Sequence, residues 1–161
     1  MLEINVVRKK GKTDVFKTIE KSLNVLEKTE VSSGFFKESK YPLNHKSKGR
    51  PVAMIAVWNN DGTPTIPPRP FMDKAALNMP DNKEFMKALE DTAVKALKGK
   101  GSNPEKLVLG SVMTEIIKNE ILSTSKPSNK QSTIAAKGFD DPLIETGLMY
   151  DSVKHKLRKL K

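Results

Sequence analysis

The pattern of apolar residues predicts four helices. The first runs from residue 14 to about residue 28 behind Thr13, a residue suited to an N-cap. Pro70 suits the first turn of a second helix that continues to about Met79. A third helix opens near residue 81 with capping-box spacing and stops at residue 99, and a fourth spans residues 102–122. The residues expected to point inward are Phe85, Leu89, Ala93 and Leu97 in the third helix and Leu107, Val112, Ile116 and Ile121 in the fourth.

Shorter apolar runs predict strands. Residues 2–6 alternate between apolar and polar side chains, which is typical of a half-buried strand. Residues 31–40 and 52–58 are predicted to pair as an antiparallel hairpin, with residues 41–50 as its loop. Apolar residues between 143 and 157 fit a further strand or hairpin that turns at residues 145–147. The chain is therefore predicted to have an α+β fold, a small antiparallel sheet packed by three to four helices with extended loops.

The length of 161 residues predicts a single domain spanning the whole chain. Within it, residues 123–138 are rich in Ser, Thr, Pro and Lys and are expected to form a flexible loop, while residues 154–161 form a basic tail that is expected to be disordered. The longest apolar run, residues 52–58, is too short to cross a bilayer, so no membrane partner is expected. The N-terminal residues lack the order of a secretory signal, which predicts synthesis in the cytoplasm.

Charge and composition limit the classes of function. The formal net charge of +10 favours polyanions or acidic protein partners, but lysine far outnumbers arginine, which does not favour base-specific recognition of DNA. The absence of cysteine excludes disulfides and thiolate nucleophiles. With His45 and His155 as the only histidines, no metal or other cofactor is expected.

One acidic group offers the only candidate catalytic chemistry. It could hold a metal or provide paired carboxylates, but no histidine or glycine-rich ligand loop accompanies it, and acids in a turn are usually solvated or paired with lysine. A serine nucleophile would need a histidine base, and both histidines lie in lysine-rich segments. We therefore expect no enzymatic activity. The acidic group consists of Asp140, Asp141, Glu145 and Asp151.

Two stretches of the chain carry the most information. The first motif is residues 58–72, W-N-N-D-G-T-P-T-I-P-P-R-P-F-M, and its four prolines predict a semi-rigid arm suited to docking on another surface. The second motif is residues 140–153, D-D-P-L-I-E-T-G-L-M-Y-D-S-V. Together, in this order and with two helices and a Ser/Thr/Pro-rich loop between them, the motifs resemble the neck or tail-completion proteins of tailed bacteriophages and prophages. The resemblance covers roughly residues 30–155.

This resemblance implies a structural, non-enzymatic virion protein. Such a protein is made in the host cytoplasm and assembles as a homo-oligomeric ring at the junction of head and tail, through which DNA passes. Its implied partners are other copies of itself, the head connector or adaptor proteins, the tail terminator or tail tube proteins, and the passing DNA in nonspecific contact. The residues that the resemblance implies at contacts between subunits or rings are Trp58, Asp61, Pro67, Pro68, Arg69, Phe71, Thr133 and Thr146.

Several of these residues have two interpretations on sequence alone. Trp58 and Phe71 suit either a core anchor or an interface. Arg69, held between prolines, is expected to make a fixed contact with an acidic partner or a neighbouring subunit. A set of basic residues suits a solvated surface, a lining for passing DNA or a dock for an acidic ring: Lys46, Lys48, Arg50, Lys154, Lys156 and Arg158. The alternative function is a stand-alone basic nucleic-acid-binding module.

Overall fold

The computed structural model describes residues 28–98 and 103–160, and five residues ahead of them. These five residues are all helical, which agrees at those positions with the helix predicted over residues 14–28. They are Lys17, Thr18, Glu20, Lys21 and Asn24. The strand predicted over residues 2–6 lies outside the described residues, as does most of the remainder of that helix.

From residue 28 onward, the described residues form two strands and six helices. In chain order these are β1 (Thr29–Phe35), α1 (Val52–Asp61), α2 (Phe71–Asn78), α3 (Lys83–Leu97), α4 (Asn103–Ser123), α5 (Gln131–Lys137), α6 (Leu148–Asp151) and β2 (Val153–Lys159). The strands pair into one antiparallel sheet. The predicted α+β fold is confirmed.

The sheet pairs the two ends of the described region. β1 and β2 are antiparallel and in register from Thr29 opposite Lys159 to Phe35 opposite Val153. The predicted hairpin between residues 31–40 and 52–58 is wrong, because residues 52–58 lie in α1. That run is apolar without alternation and contains three strong helix formers, so its pattern suited a buried helix as well as a strand. The intervening loop still closes as expected, since Lys40 and Pro51 form an isolated β-bridge.

Helix α4 lies at the centre of the fold and packs against α2, α3 and both strands. Its Ile117 and Ile121 are almost fully buried together with Phe71 of α2 and Val52 of α1. The predicted helices α2, α3 and α4 are present within one or two residues of their expected bounds. Asn82 caps α3 by accepting a hydrogen bond from the Phe85 backbone N–H.

The buried face of α3 agrees with the prediction only at Phe85, which is half-buried against the core. Its fully buried residues are Ala88, Thr92 and Ala96, whereas Leu89, Ala93 and Leu97 are exposed. The side chains of this face are small, which allows α3 to approach α4 closely. Small size therefore matters more than hydrophobicity at these positions. In α4 the prediction is partly right: Ile116 and Ile121 are buried, as expected, but Leu107 is 47% exposed.

Two segments expected to be irregular are regular. Residues 123–138 contain α5, which ends at Gly138 in the left-handed conformation. Residues 153–159 are strand β2, and residues 154–159 of the expected disordered basic tail belong to it. Of the strand or hairpin predicted over residues 143–157, only the part from Val153 onward is a strand, where Val153, His155 and Leu157 alternate with basic residues. Helix α6 was not predicted at all.

Candidate interaction cleft

The first motif begins with a polar junction between two helices. Asn60, at 8% exposure near the end of α1, accepts a hydrogen bond from the Met72 backbone N–H at 2.9 Å. Its amide nitrogen donates to Asp61 at 2.7 Å and to Asp73 at 3.0 Å. One asparagine thus caps the start of α2 and orients two carboxylates. This geometry fixes the direction in which the chain leaves α1.

The proline-rich part of the first motif folds back on itself. Gly62 has a φ of 81°, and a Cβ added there would lie 2.9 Å from the Pro68 nitrogen. Thr63 and Ile66 close a turn through a 2.8 Å bond from the Thr63 N–H to the Ile66 carbonyl. The expected docking arm is therefore a compact loop. The turn at Thr63 and the positive φ of Gly62 make this reversal possible.

Arg69 ties this loop to a distant part of the chain. It is 4% exposed, and its Nε and Nη2 donate to the carbonyls of Pro127 at 2.8 Å and Ser128 at 3.2 Å. Burial lowers the pKa of its guanidinium, while the charge of Asp140 raises it. The fixed contact expected of Arg69 exists, but it is made within its own chain rather than with another molecule.

The second motif is held by the same kind of contact. Asp140 accepts a hydrogen bond from the Asn129 backbone N–H at 2.9 Å, and this bond is the main reason that the pKa of Asp140 is lowered. Glu145 forms an ion pair with Lys46 at 2.9 Å. In the part of the chain that is described, no group of three acidic or histidine side chains could hold a metal ion.

The two motifs meet in one cleft of about 430 Å³, which we call the motif cleft. Its walls come from the loop over residues 41–50, α1, the proline-rich loop, α5 with the two residues ahead of it, and the loop that leads into the start of α6. Seven of the residues expected to make contacts line it: Lys46, Arg50, Trp58, Pro67, Arg69, Thr133 and Thr146. The fold thus brings together positions that lie as far apart in the chain as residues 46 and 146.

The remaining candidate contact residues lie elsewhere. Phe71 is 0% exposed and packs edge-on against Phe35, with ring centroids 6.1 Å apart. Of the two roles open to Phe71, the structure supports the core anchor. Asp61, Pro68 and Lys48 are exposed and do not line the cleft.

Aromatic and charged groups stack at the cleft wall. The Arg50 guanidinium lies 5.3 Å from the centroid of the half-buried Trp58 ring. Tyr41 stacks on His45 with ring centroids 4.5 Å apart, and burial, followed by the charge of Glu145, raises the pKa of Tyr41. Burial also lowers the pKa of Lys137, because desolvation disfavours its ammonium form.

The three basic residues expected of the C-terminal tail form a second group. Lys154, Lys156 and Arg158 alternate along β2 and are exposed. Two of them are paired within the chain, Lys156 with Glu38 and Arg158 with Glu30, each at 2.9 Å. These pairs reduce the free positive charge on this face of the sheet.

His45 and Asn129 also line the cleft, although sequence reasoning did not single them out as contact residues. Neither belongs to a motif, and their positions depend on contacts between segments that are distant in the chain. Only the run of Lys46, Lys48 and Arg50 beside His45 hinted that this loop carries a function.

No helix in the described ranges is both long and apolar enough to span a bilayer. Comparison of the chain with models of protein families, with curated proteins and with solved structures gave no match. The choice of function therefore depends on the resemblance of the two motifs and on the geometry of the motif cleft.

Proposed function

We propose that this chain is a structural, non-enzymatic protein of a tailed phage or prophage that joins head to tail as a homo-oligomeric ring. The observation that supports the proposal is the shared cleft, because both motifs that carry the resemblance contribute walls to it. Most of α2 and all of α3, α4 and α5 separate the motifs in the chain. A common surface is the arrangement expected if the paired motifs serve one contact with a neighbouring protein.

The proposed partners of the cleft are other copies of this chain, head connector or adaptor proteins, and tail terminator or tail tube proteins. Basic residues on the face of β2 would lie towards the DNA passage. A passage needs weak contacts with phosphates, and the ion pairs of Lys156 and Arg158 suit that requirement. The same ion pairs weigh against a stand-alone nucleic-acid-binding module, for which free basic side chains are needed.

Disruption of the gene in its source phage or prophage tests the proposal. We expect electron microscopy to find filled heads and finished tails that are separate, and joined particles after the intact gene is restored. Joined particles in the absence of the gene would contradict the joining role and favour the nucleic-acid-binding module.

A pair of matched variants tests the cleft in the same experiment. Thr146 is exposed at the cleft, whereas Ser111 is exposed on α4 and does not line it. We expect Thr146→Glu to fold but to fail in restoring joined particles, and Ser111→Glu to restore them. Equal restoration by both variants would remove the cleft from the joining contact. Arg69→Glu is unsuitable, because its side chain is buried and bonded within the fold.

A further inference from the structure

A second cleft, of about 660 Å³, lies at one end of the sheet, and we call it the basic cleft. Its walls come from the helical residues ahead of β1, the first residue of β1, the start of α4 and the end of β2. Four of its nine described lining residues are lysines and one is a carboxylate, so these residues together carry a formal charge of +3. The lysines are Lys17, Lys21, Lys28 and Lys159, and the carboxylate is Glu20.

Three of these lysines lie on one face of the helix ahead of β1. Lys17 and Lys21 are helical, and the Lys28 N–H donates to the Asn24 carbonyl at 3.0 Å, which is the i to i−4 bond of an α-helix. Residues that are four, seven or eleven positions apart share a face of a helix. The spacing of residues 17, 21 and 28 therefore brings the three side chains to the same cleft.

The sheet brings the fourth lysine to this place from the other end of the described region. Lys159 pairs opposite Thr29, and the N–H of the next residue, Leu160, donates to the Lys28 carbonyl at 2.7 Å. These backbone contacts hold the end of β2 beside the start of β1. The cluster of four lysines is thus a product of the fold and is not visible as a run of basic residues in the sequence.

The positive charge of the basic cleft is unpaired. All four lysines are exposed, and none of them forms an ion pair with a carboxylate of the described residues. On the exposed face of β2, by contrast, Lys156 and Arg158 are paired with Glu38 and Glu30. The end of the sheet therefore offers more free positive charge to a polyanion than the face of β2 does.

The composition of the basic cleft favours the phosphates of a duplex over other polyanions. Among its described lining residues, Leu160 is the one apolar side chain, and none is aromatic. A bound protein segment usually buries apolar side chains at the centre of its interface. Unpaired nucleotides usually stack their bases on aromatic side chains. The phosphates on the outside of a duplex require only cations, which this cleft supplies.

We propose that the basic cleft binds the phosphate groups of duplex DNA without recognising its bases. The four lysines each contact a phosphate and displace its counterions, so binding is weak at physiological salt and depends strongly on salt. The identity of this duplex as the DNA that passes through the ring rests on the proposed function. The phosphate contact itself does not, because it depends on the basic cleft alone.

A labelled DNA duplex of mixed sequence is the probe, and fluorescence anisotropy measures its binding to the full chain. We expect saturable binding in about 50 mM NaCl and much weaker binding in about 200 mM NaCl. For four phosphate contacts, the logarithm of the association constant should fall against the logarithm of salt with a slope of about −3.6. A second duplex of unrelated sequence is expected to bind equally well.

Two triple variants with the same change of charge test the location. The first replaces three lysines of the basic cleft with glutamine: Lys21, Lys28 and Lys159. We expect the slope to become shallower by about 2 to 3 and binding in about 50 mM NaCl to weaken tenfold or more. The control replaces three exposed lysines of α2 and α3 that do not line the basic cleft, and it should change the slope by less than about 1: Lys74, Lys83 and Lys87.

A third variant separates charge from shape. Replacing Lys21, Lys28 and Lys159 with arginine keeps the three positive charges, so it should bind the duplex within about threefold of the unmodified protein. Circular dichroism checks that each variant is folded. Loss of binding in the folded arginine variant would mean that the contact does not depend on charge.

Four further outcomes would overturn the phosphate site: no binding in about 50 mM NaCl, equal weakening by the two glutamine variants, tighter binding of a single strand of equal charge, or tighter binding of a polyglutamate peptide of equal charge. These outcomes are separate from those of the gene disruption. Duplex binding at the basic cleft combined with joined particles in the absence of the gene would contradict the joining role and keep the phosphate site. A joining defect without duplex binding would do the reverse.

Discussion

In the layer around α4 the largest buried side chains are apolar and recur at helical spacing, whereas the motif cleft is held by polar side chains bonded to backbone groups. Ile117 and Phe71 represent the first kind of contact, and Asn60 and Arg69 the second. Apolar cores tolerate replacement by side chains of similar volume. A buried donor must match the direction of its acceptor, so the cleft tolerates fewer residue types than the layer.

The largest effect of a substitution is expected in the layer. Phe71→Ala removes a fully buried ring, so we expect the free energy of unfolding to fall by about 4 kcal/mol. Leu77→Ala in the same helix is the control, since Leu77 is 75% exposed, and it should change stability by less than about 0.5 kcal/mol. Urea unfolding followed by circular dichroism measures both. Similar losses for the two variants would contradict the assignment of the core.

The next effect is expected at the cleft. Arg69→Leu leaves the carbonyls of Pro127 and Ser128 without their donor, which should lower the free energy of unfolding by about 3 kcal/mol. Arg50→Leu is the matched control, because Arg50 is exposed and loses only its contact with Trp58, worth up to about 1 kcal/mol. The same unfolding experiment compares them. An Arg69 variant no less stable than the Arg50 variant would mean that the polar contacts do not hold the cleft.

A smaller effect tests how tightly the sheet packs on α4. A Cβ on Gly110 would lie 2.8 Å from the His155 ring, so Gly110→Ala overpacks this contact. The gain in helix propensity offsets part of the cost, and we expect a net loss of about 1 kcal/mol in the free energy of unfolding.

Removing the ring should reduce that loss. In the His155→Ala background, Gly110→Ala no longer meets the ring atoms at 2.8 and 2.9 Å but still meets the Cβ of residue 155 at 3.0 Å, so we expect a smaller loss than in the unmodified protein. A double-mutant cycle of urea unfolding curves measures this coupling. The same loss in both backgrounds would show that the His155 ring is not the obstacle.

The smallest effect on stability is expected from the titration of two carboxylates, one in each region. The pKa of Asp140 at the cleft and that of Glu30 on the sheet are both lowered in the folded protein. A depressed folded pKa adds stability above the unfolded value, and this contribution is lost as the pH falls through the folded value. We therefore expect the midpoint of urea unfolding to fall between about pH 5 and about pH 2.

Asp140→Asn and Glu30→Gln should each reduce this acid-induced loss. The pKa of Glu30 is lowered first by the hydrogen bond from Ser32 and then by the exposed Arg158, so added salt should weaken the part that Arg158 contributes. The bond between Asp140 and the Asn129 N–H is a charge-dipole contact of short range, so salt should affect it less. A steeper loss of stability in either variant than in the unmodified protein would contradict the assigned pKa directions.

The apolar layer around α4 and the motif cleft also differ in how much of each could be predicted from the sequence. Helices α2, α3 and α4 could be predicted because caps and regular apolar spacing are local signals. The face that α3 buries could not be predicted. Ala88 and Ala96 are buried because α4 packs closely against them, and not because they are the most hydrophobic residues of the helix. The pairing of β1 with β2 was also beyond local signals, because it depends on residues at opposite ends of the described region.

The candidate site was predictable only in parts. The motif positions Trp58, Thr133 and Thr146 could be selected from the sequence, but their meeting in one cleft requires the fold. His45 and Asn129 were out of reach for a different reason. Their places in the cleft result from what surrounds them in space, and no spacing of residues along a chain encodes that condition.

The pairing of the first and last described strands also governs how the chain can fold. Glu30 and Arg158, which face each other across the sheet, are 128 residues apart. Contacts of such large sequence separation slow folding, because a long loop must close before any of them forms. During synthesis β1 leaves the ribosome early and remains an open edge until β2 emerges. Completion of the sheet is thus the step that covers one edge of β1, and a chain that stopped before residue 153 would leave that edge open to aggregation.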